Sequence, residues 1–496
     1  MKFNLSFVLL ITFIKDIHGE HCEKGWPFPQ DFLIGAASAA YQVEGGWNAS
    51  GKGENNWDWF THNKPWMIAD QSNGDVACDS FHKYKKDVAI MKDIGFDFYR
   101  FSISWSRIFP TGFANDISKD GIKYYHDLIH ELRSKGLEPF VTIYHWDHPQ
   151  VLEQMGGWIN EMMVDWFTDF SKIVFQEFGP KVKYFVTINE PSSFCYGGYG
   201  GTSKAPAWNL PLNAEYLCMH NVLKAHAKAY HMYYEKFRST QNGIIGIALP
   251  CNHYFHKNEE DSITPDIAFQ YDCGWMANPI FSKDGDYPKI MRERIDENSR
   301  IQGWPRSRLP KFTQTEVEYI RGTSDYFGLN HYTSYIAVPV QKEVNKGWAN
   351  DRGFYQIVDP KWPVSASSWL RVVPEGFGGI LRKITKEYGN TPIYVLENGY
   401  SDTGSLNDLD RINYYYSYLK EMLLAIKDGC NVKSYAAWSI MDNYEWTEGY
   451  NAHFGLLQVD FNDARRKRTY KNSAHWFKNL LQSRTLLPVQ NCTNNN

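Results

Sequence analysis

Two glutamates stand where apolar segments of this 496-residue chain end. Glu190 closes the run in VTINEP, and Glu397 closes the run in IYVLENG. Asparagine, aspartate and glycine have local reasons to end a strand in a turn, whereas glutamate has none. Two carboxyl groups that face one pocket can hydrolyse a glycosidic bond, one as a proton donor and the other as a nucleophile or base. The alternative is that each glutamate forms an ordinary salt bridge.

Short β-branched or aromatic segments alternate with longer amphipathic segments along the chain. Strands are predicted at 32–38, 96–103, 138–144, 183–188, 244–249, 325–330, 392–396 and 434–438. Apolar residues at three-to-four spacing predict helices at 80–94, 121–136 and 165–179, which end near Gly95, Gly136 and Gly179. Eight strands that alternate with helices predict an α/β fold, a single (β/α)8 TIM barrel with elaborated βα loops.

In such a barrel, functional groups lie at the C-terminal ends of the strands. Glu190 would end the fourth strand and Glu397 the seventh, so both carboxyl groups are expected to face one pocket. The segment 341–368 has little periodicity and is predicted to be a long loop on one face of the barrel. Because no linker or repeat divides the chain, residues 20–496 are predicted to form one domain.

Composition narrows the classes of partner. The formal net charge of -4 gives no electrostatic reason to expect nucleic acid or an anionic membrane surface. Aromatic residues make up 16% of the chain, which fits either a large core or a site that stacks on sugar rings. No cofactor is expected.

The first 19 residues have the shape of a secretory signal. Lys2 is followed by an apolar run at 5–14 that is too short to span a bilayer, and Gly19 could precede a cleavage site. We therefore expect a secreted protein, with digestive fluid a plausible destination. The eight cysteines fit that compartment, and no CxxC pair exists. Their pairing is left open, with buried thiols as an alternative, and two sequons mark Asn48 and Asn491 as glycosylation candidates.

Seven motifs narrow the chemistry further, namely FLIGAASAAYQVEGGW, YRFSISWSRIFP, YHWDHP, TINEP, GLNHYTS, VLENGY and WSIMDNYEWTEGY. They occur in the order in which family 1 glycoside hydrolases carry them. The chain resembles that family from about Trp26 to Phe477, and within it resembles secreted animal β-glucosidases such as insect digestive enzymes.

The resemblance implies a retaining mechanism in which Glu190 is the acid/base and Glu397 the nucleophile. The acid must hold a proton near neutral pH, whereas the nucleophile must stay ionised and gains from a positive neighbour. Arg100 matches that neighbour, Tyr332 matches a hydrogen-bond donor to the nucleophile, and Asn330 of the same GLNHYTS motif is assigned to the same support. The alternatives are a charge at the rim for Arg100 and a core tyrosine for Tyr332.

Asn189 matches the residue that holds the sugar 2-hydroxyl group. Strand alternation would place Asn189 and Glu190 on opposite faces, so Asn189 reaches the pocket only if the strand has already bent there. The alternative is that Asn189 caps the following helix.

Sugar recognition needs fixed polar groups and an indole beneath the ring. By resemblance, the residues that hydrogen-bond the nonreducing sugar are Gln42, His145, Glu445 and Trp446. Three more tryptophans are assigned in the same way. Trp438 is the platform of the sugar. Trp146 is a site residue or only packs in the wall, and Trp369 stacks on the departing group or only packs in its loop. His145 and His148 lack a third ligand at zinc-type spacing, so no metal is predicted.

Three departures from relatives refine the expected substrate. The segment 446–455 has no Lys or Arg, so a phosphorylated sugar is not expected, and the basic run at 465–468 is predicted to be a solvated turn. Plant-type thioglucosidases carry glutamine in place of the acid, and silent relatives lose one glutamate, whereas this chain has both.

The leading hypothesis is an exo-acting β-glucosidase that releases β-D-glucose from cellobiose, short cello-oligosaccharides and other β-glucosides. One alternative is a preference for β-galactosides or β-fucosides on the same scaffold. The other is a secreted sugar-binding protein without turnover.

Overall fold

The computed structural model of the protein describes residues 25–340 and 348–489. The predicted signal segment 1–19, the sequon at Asn491, Cys22 and Cys492 lie outside the described residues. Within them, no helix is both long and apolar enough to cross a membrane.

Eight parallel strands close into a barrel, as the sequence predicts. In chain order, β1–β8 are Leu33–Ala37, Phe98–Ser102, Glu138–Tyr144, Tyr184–Asn189, Ile244–Pro250, Tyr326–Asn330, Ile393–Asn398 and Val432–Trp438. Each strand pairs with the next along the chain, and β8 pairs with β1 to close the ring. The predicted strand bounds differ from the observed ones by two residues at most.

The strands alternate with outer helices that bury their apolar faces against the barrel. These helices, α1–α8, are Ser80–Ile94, Lys119–Ser134, Met163–Phe178, Ala214–Lys236, Gln314–Ile320, Pro374–Tyr388, Leu409–Lys427 and Asn472–Ser483. The three helices predicted from apolar spacing correspond to α1, α2 and α3. Gly95 follows α1 with φ of 96°, a left-handed conformation that glycine adopts without steric cost.

Shorter elements build the loops between strands and helices. The short α-helices are Ala40–Val43, Asn56–Asn63, Trp105–Ile108, Gln150–Gln154, Pro191–Phe194, Arg238–Gln241, Ile263–Phe269, Trp275–Phe281 and Trp348–Arg352, and a longer one is Lys289–Ile301. Single 3-10 or π turns are Ala49–Gly51, Pro65–Met67, Gly157–Ile159, Cys195–Gly200, Gln270–Gly274 and Trp446–Glu448. Two further pairs of strands are Trp26–Pro27 with Thr485–Leu486, and Leu457–Val459 with Arg468–Tyr470.

The prediction of one long loop at 341–368 is wrong for part of that segment, of which residues 341–347 lie outside the described residues. It contains the helix Trp348–Arg352 and the strand Phe354–Ile357. That strand pairs with Ser334–Pro339, which also pairs with His253–His256. Only Phe354 is buried in this four-residue strand, so it lacks the alternation of buried and exposed residues from which a strand is predicted.

Aromatic rings from several strands fill the barrel interior. Phe140 stacks on Tyr184 at 5.0 Å between ring centroids, and Tyr326 contacts Tyr394 at 4.6 Å. Phe140 also lies 6.2 Å from Tyr394 across the barrel. Part of the high aromatic content is therefore core packing, as the first of the two alternatives proposed.

Two disulfides fasten loops at the C-terminal end of the barrel. Cys195 after β4 is bonded to Cys218 in α4, and Cys251 after β5 is bonded to Cys273. Cys78 and Cys430 are buried free thiols. The cysteines therefore include both of the kinds that the sequence left open.

The prediction of a solvated turn at 465–468 is wrong for its last residue. Arg468 is buried and donates to both carboxylate oxygens of Asp87, at 2.8 and 3.0 Å. Arg465 is exposed as expected. The basic composition of the run does not reveal that Asp87 of α1 is a buried partner for Arg468.

Candidate active site

The chain bends sharply at the end of β4. The pairing of β4 with β5 is irregular between Val186 and Asn189, and Glu190 has φ of 46°. This bend breaks the alternation of side chains, so both Asn189 and Glu190 reach the pocket. The condition that the sequence analysis placed on Asn189 is met, and its side chain does not cap the following helix.

Glu397 lies in β7 and is held by two donors. Arg100 in β2 donates from Nη1 to Oε1 of Glu397 at 2.7 Å, and the Tyr332 hydroxyl donates to Oε2 at 2.8 Å. The Arg100 side chain is fully buried and also donates to Thr142 at 3.0 Å. Arg100 is therefore not a charge at the rim, and Tyr332 is not only a core residue.

A chain of hydrogen bonds joins the two glutamates. Arg100 donates to the side-chain oxygen of Asn189 at 2.6 Å. The Asn330 amide donates to the same oxygen at 3.1 Å and to Oε1 of Glu190 at 2.8 Å. Both carboxyl groups therefore belong to one network at the C-terminal end of the barrel, and neither is an isolated salt bridge.

Ser193 is a donor that the sequence analysis missed. Its hydroxyl donates to Oε2 of Glu190 at 2.7 Å. Ser193 follows Glu190 by one turn of the short helix Pro191–Phe194, so the spacing in NEPSS is the signal that could have identified it.

The environment of Glu397 both raises and lowers its pKa. Burial raises the pKa to about 7, and repulsion by Glu190 acts in the same direction. Arg100 and Tyr332 oppose these effects because their hydrogen bonds favour the ionised form. Arg100 and Tyr332 therefore lower the pKa of Glu397 and favour its anion.

Gln42 and His145 present unpaired atoms within the described part of the chain. Gln42 donates from Nε2 to Asn443 at 2.9 Å and to Glu445 at 3.2 Å, while its Oε1 has no protein partner. The Asn189 amide donates to Nε2 of His145 at 3.1 Å, and Nδ1 of His145 has no protein partner. Burial lowers the pKa of His145 well below its ordinary value, so the ring is neutral. Sugar hydroxyl groups can satisfy both atoms.

Indole rings line the same end of the pocket. His145 stacks on Trp438 and Trp446 with ring centroids 6.0 and 5.9 Å away. Trp146 lies 4.5 Å from Trp446, and its indole N–H donates to the Asn189 carbonyl at 2.9 Å. Trp146 therefore builds the wall and also holds the backbone beside Glu190.

Glu445 shares this region with a lysine that the sequence analysis did not single out. Burial raises the pKa of Glu445 to about 8, and the charge of Lys204 lowers it. The Lys204 ammonium lies 5.6 Å from the ring centroid of Trp146 and interacts with the charges of Glu445 and Glu448. Lys204 comes from the loop after β4, so the segment 446–455 alone could not reveal it.

Trp369 lies at the rim with 39% of its surface exposed. Its indole N–H donates to Glu448 at 3.3 Å, and its ring meets that of Tyr332 edge-on at 5.7 Å. It is thus next to the residue that holds Glu397, with a face open to solvent. Both interpretations of Trp369 fit this position.

Both histidines of YHWDHP are hydrogen-bonded to protein side chains. His148 is hydrogen-bonded to Tyr144 at 2.9 Å and to Glu153 at 2.8 Å. Residues 25–340 and 348–489 contain no group of three or more His, Cys, Asp or Glu side chains that could hold a metal ion.

Comparisons with known proteins agree with this geometry. The sequence profile of Glycosyl hydrolase family 1 matches residues 25–486. Myrosinase 1 of Brevicoryne brassicae is 44% identical over 92% of this chain and 99% of its own length. Human lactase/phlorizin hydrolase is 42% identical over 92% of this chain, which spans 24% of that longer protein. A mutant of the rice β-glucosidase Os3BGlu6, in a covalent complex with glucose, superposes with a TM-score of 0.86 at 36% identity, covering 92% of this chain and 99% of that one.

Proposed function

The chain belongs to glycosyl hydrolase family 1 and is a glycoside hydrolase, and we propose that it is a retaining, exo-acting β-glucosidase. Its substrates are cellobiose, short cello-oligosaccharides and other β-glucosides with a terminal nonreducing glucose. The observation that carries this proposal is the network in which Arg100 and Tyr332 hold Glu397 while Asn330 and Ser193 hold Glu190.

In the first step, Glu397 attacks the anomeric carbon and Glu190 protonates the departing oxygen. Arg100 and Tyr332 favour the anion at Glu397, which is the form that the attack requires. A covalent glucosyl intermediate then forms on Glu397.

In the second step, Glu190 accepts a proton from water, which attacks the anomeric carbon and releases Glu397. Two inversions restore the β configuration of the product. The Asn189 amide lies between Arg100 and His145, where a sugar 2-hydroxyl group can bond it in both steps. The covalent glucose complex of the rice enzyme supports an intermediate of this type.

The recognition end of the pocket supports exo action. Gln42, Glu445 and Trp446 converge there, and Gln42 is tied to the chain at Tyr444 by a further bond of 3.0 Å. Polar groups that must each find a sugar hydroxyl reject a sugar that lacks it. The sugar therefore enters with its nonreducing end first.

A preference for β-galactosides or β-fucosides is the second candidate. The similarity to lactase/phlorizin hydrolase favours it, because that relative is named for a galactoside. A phosphorylated sugar is disfavoured, since Lys204 faces the carboxylates of Glu445 and Glu448 and is not free for a phosphate.

We also propose that the protein is secreted, that residues 1–19 are removed, and that Asn48 carries a glycan. The two disulfides support an oxidising compartment. Asn48 is exposed within its sequon. N-terminal sequencing and mass measurement of the protein from a eukaryotic secretion host, before and after glycosidase treatment, test these three points.

The catalytic proposal is tested with purified protein and nitrophenyl glycosides of glucose, galactose and fucose, followed by cellobiose and lactose. Proton NMR in the first minutes of nitrophenyl β-glucoside hydrolysis, in which all of the glucose comes from the glycosyl side, reports the first anomer that forms. Turnover with initial β-glucose supports the proposal. Initial α-glucose would refute the retaining mechanism, and binding without turnover would favour the sugar-binding alternative.

A further inference from the structure

Buried charged side chains lie behind the two loops that follow β7 and β8. We name this group the interloop ion cluster; its members are Asp402, Asp408, Arg411, Asp442 and Lys471. The side chains are fully buried except that of Asp402, which is 14% exposed. The proposed steps of hydrolysis use none of these groups.

Lys471 bridges the two loops. Its ammonium lies 2.9 Å from Oδ1 of Asp442 and 3.4 Å from Oδ1 of Asp402. Asp402 follows Glu397 in the loop after β7, and Asp442 precedes Glu445 in the loop after β8. One buried cation therefore contacts the loop of the proposed nucleophile and the loop of the sugar-recognition residues.

Arg411 ties the same loops to α7. Its Nη2 lies 2.5 Å from Asp402, and it donates to the carbonyl groups of Tyr400 and His453. Its Nε donates to Asp408 at 2.9 Å. Arg411 thus anchors both loops to the helical layer, and Lys471 adds a second link that reaches Asp442.

Asp442 passes this constraint on to the sugar-recognition residues. Its Oδ1 also accepts from the backbone N–H of Gly455 at 2.9 Å. The next residue, Asn443, accepts from Gln42, which in turn donates to Glu445. A displacement of Asp442 would therefore move the groups that contact the sugar.

Stability alone does not explain a buried lysine at this place. Removing a charge from water is unfavourable, and well-packed apolar residues of similar volume are often at least as stabilising as a buried ion pair. Burial acts to raise the pKa of Asp442, but His453 and Lys471 outweigh it and hold that pKa below its ordinary value. Asp442 is therefore an anion that needs its cationic neighbours.

We infer that Lys471 is a positioning residue that sets the spacing between the Glu397 loop and the Glu445 loop, and thereby the selectivity of the pocket among sugars. The inference rests on the proposed function, in which Gln42, Glu445 and Trp446 bind the nonreducing sugar. Without Lys471, the side chains of Asp402 and Asp442 repel each other, and Asp442 moves away from Asp402 while Arg411 and the backbone bond from Asp402 to His453 still join the loops. Hydroxyl groups that Glu445 contacts then contribute less to discrimination.

The test compares kcat/KM for nitrophenyl β-glucoside, β-galactoside and β-xyloside. Galactose differs from glucose in the orientation of the 4-hydroxyl group, and xylose lacks the hydroxymethyl group of C6. Rates are normalised by active-site titration with a slow 2-fluoro glucoside, so the fraction of folded protein does not enter the ratios. In Lys471→Met, we expect kcat/KM for the glucoside to fall by about tenfold. The ratios of glucoside to galactoside and glucoside to xyloside should change by at least threefold.

Lys478→Met is the matched control, because Lys478 lies on α8, which begins directly after Lys471, and pairs with Asp93 at 2.8 Å on the surface. It should leave every ratio unchanged. Lys471→Arg keeps the charge and should restore most of the selectivity. Asp402→Asn weakens the same bridge with a smaller change, so it decides the matter if Lys471→Met does not fold.

A lower melting temperature with unchanged ratios in Lys471→Met, or in Asp402→Asn when the first variant does not fold, would overturn the inference and leave Lys471 a structural residue. If the wild-type protein turns over none of the three glycosides, the proposed function fails and the inference falls with it. If the wild-type enzyme is active and selective, the proposed function stands, and the ratios in the variants then test the inference on its own.

Discussion

Tyr332→Phe removes one hydroxyl group and tests how Glu397 is kept ionised. The hydroxyl donates to Oε2 of Glu397 at 2.8 Å, and its loss removes a contact that favours the carboxylate. The pKa of Glu397 must therefore rise further, because burial and Glu190 already raise it. Since the first step needs the anion, the ascending limb of kcat/KM against pH moves to higher pH.

The expected size of this displacement follows from the hydrogen bond. A hydrogen bond to a charged group contributes about 1.5–3 kcal/mol. At about 1.4 kcal/mol per pH unit, the midpoint of the ascending limb moves up by roughly one to two units. Below that limb, kcat/KM falls by roughly ten- to a hundredfold relative to the wild type, whereas the plateau at higher pH is affected much less.

The assay is kcat/KM for a nitrophenyl β-glucoside between pH 4 and 9 at constant ionic strength. Tyr435→Phe is the control. The buried hydroxyl of Tyr435 donates to Asn398 at 2.6 Å, and Asn398 follows Glu397 in sequence, but this hydroxyl does not donate to the Glu397 carboxylate. The control should lower stability by about 1 kcal/mol without moving the limb. An unmoved limb in Tyr332→Phe, or an equal displacement in both variants, would refute the role given to Tyr332.

Three further predictions concern the proposed site residues. Glu190→Ala should lose most activity on cellobiose, whose leaving group needs a proton, but should keep the first step on a dinitrophenyl glucoside; equal losses on both substrates would exclude Glu190 as the acid. Glu397→Gly should be inactive in hydrolysis yet transfer glucose from α-glucosyl fluoride to an acceptor, since the fluoride replaces the missing intermediate; residual hydrolysis at the wild-type rate would give the nucleophile's role to another group. Trp369→Ala should weaken kcat/KM for disaccharides more than for activated glucosides, because we propose that this half-exposed indole at the rim contacts the departing group; a parallel fall would make Trp369 a packing residue of the loop.

Local patterns in the sequence were enough to predict the barrel. Each strand is a short β-branched or aromatic run, and each of the long helices repeats its apolar residues every three to four positions. These patterns arise from the burial of one element against its neighbours, so they can be read within a window of about 18 residues. The strand that ends at Glu190 and the strand that contains Glu397 were located in this way.

Conformations that depend on a distant partner were not predictable in the same way. The bend at Glu190 that turns Asn189 into the pocket depends on irregular pairing with β5. The strand Phe354–Ile357 pairs with Ser334–Pro339, but its own four residues bury only Phe354 and so show no alternating pattern. Sequence patterns marked the first place as a strand end with an unexpected glutamate, without showing the bend, and the second place as a loop.

By itself, the sequence determined the kind of fold, the residue types of the site and the order in which the chain presents them, because these depend on local spacing and on motifs. Only the tertiary structure decided which polar atoms meet. Lys204 reaches the sugar-recognition end from another loop, Arg468 finds Asp87, and Lys471 joins two loops that are separate in sequence. A buried charge needs an opposite charge nearby in space. Residues that are distant in sequence come that close only when the barrel has closed.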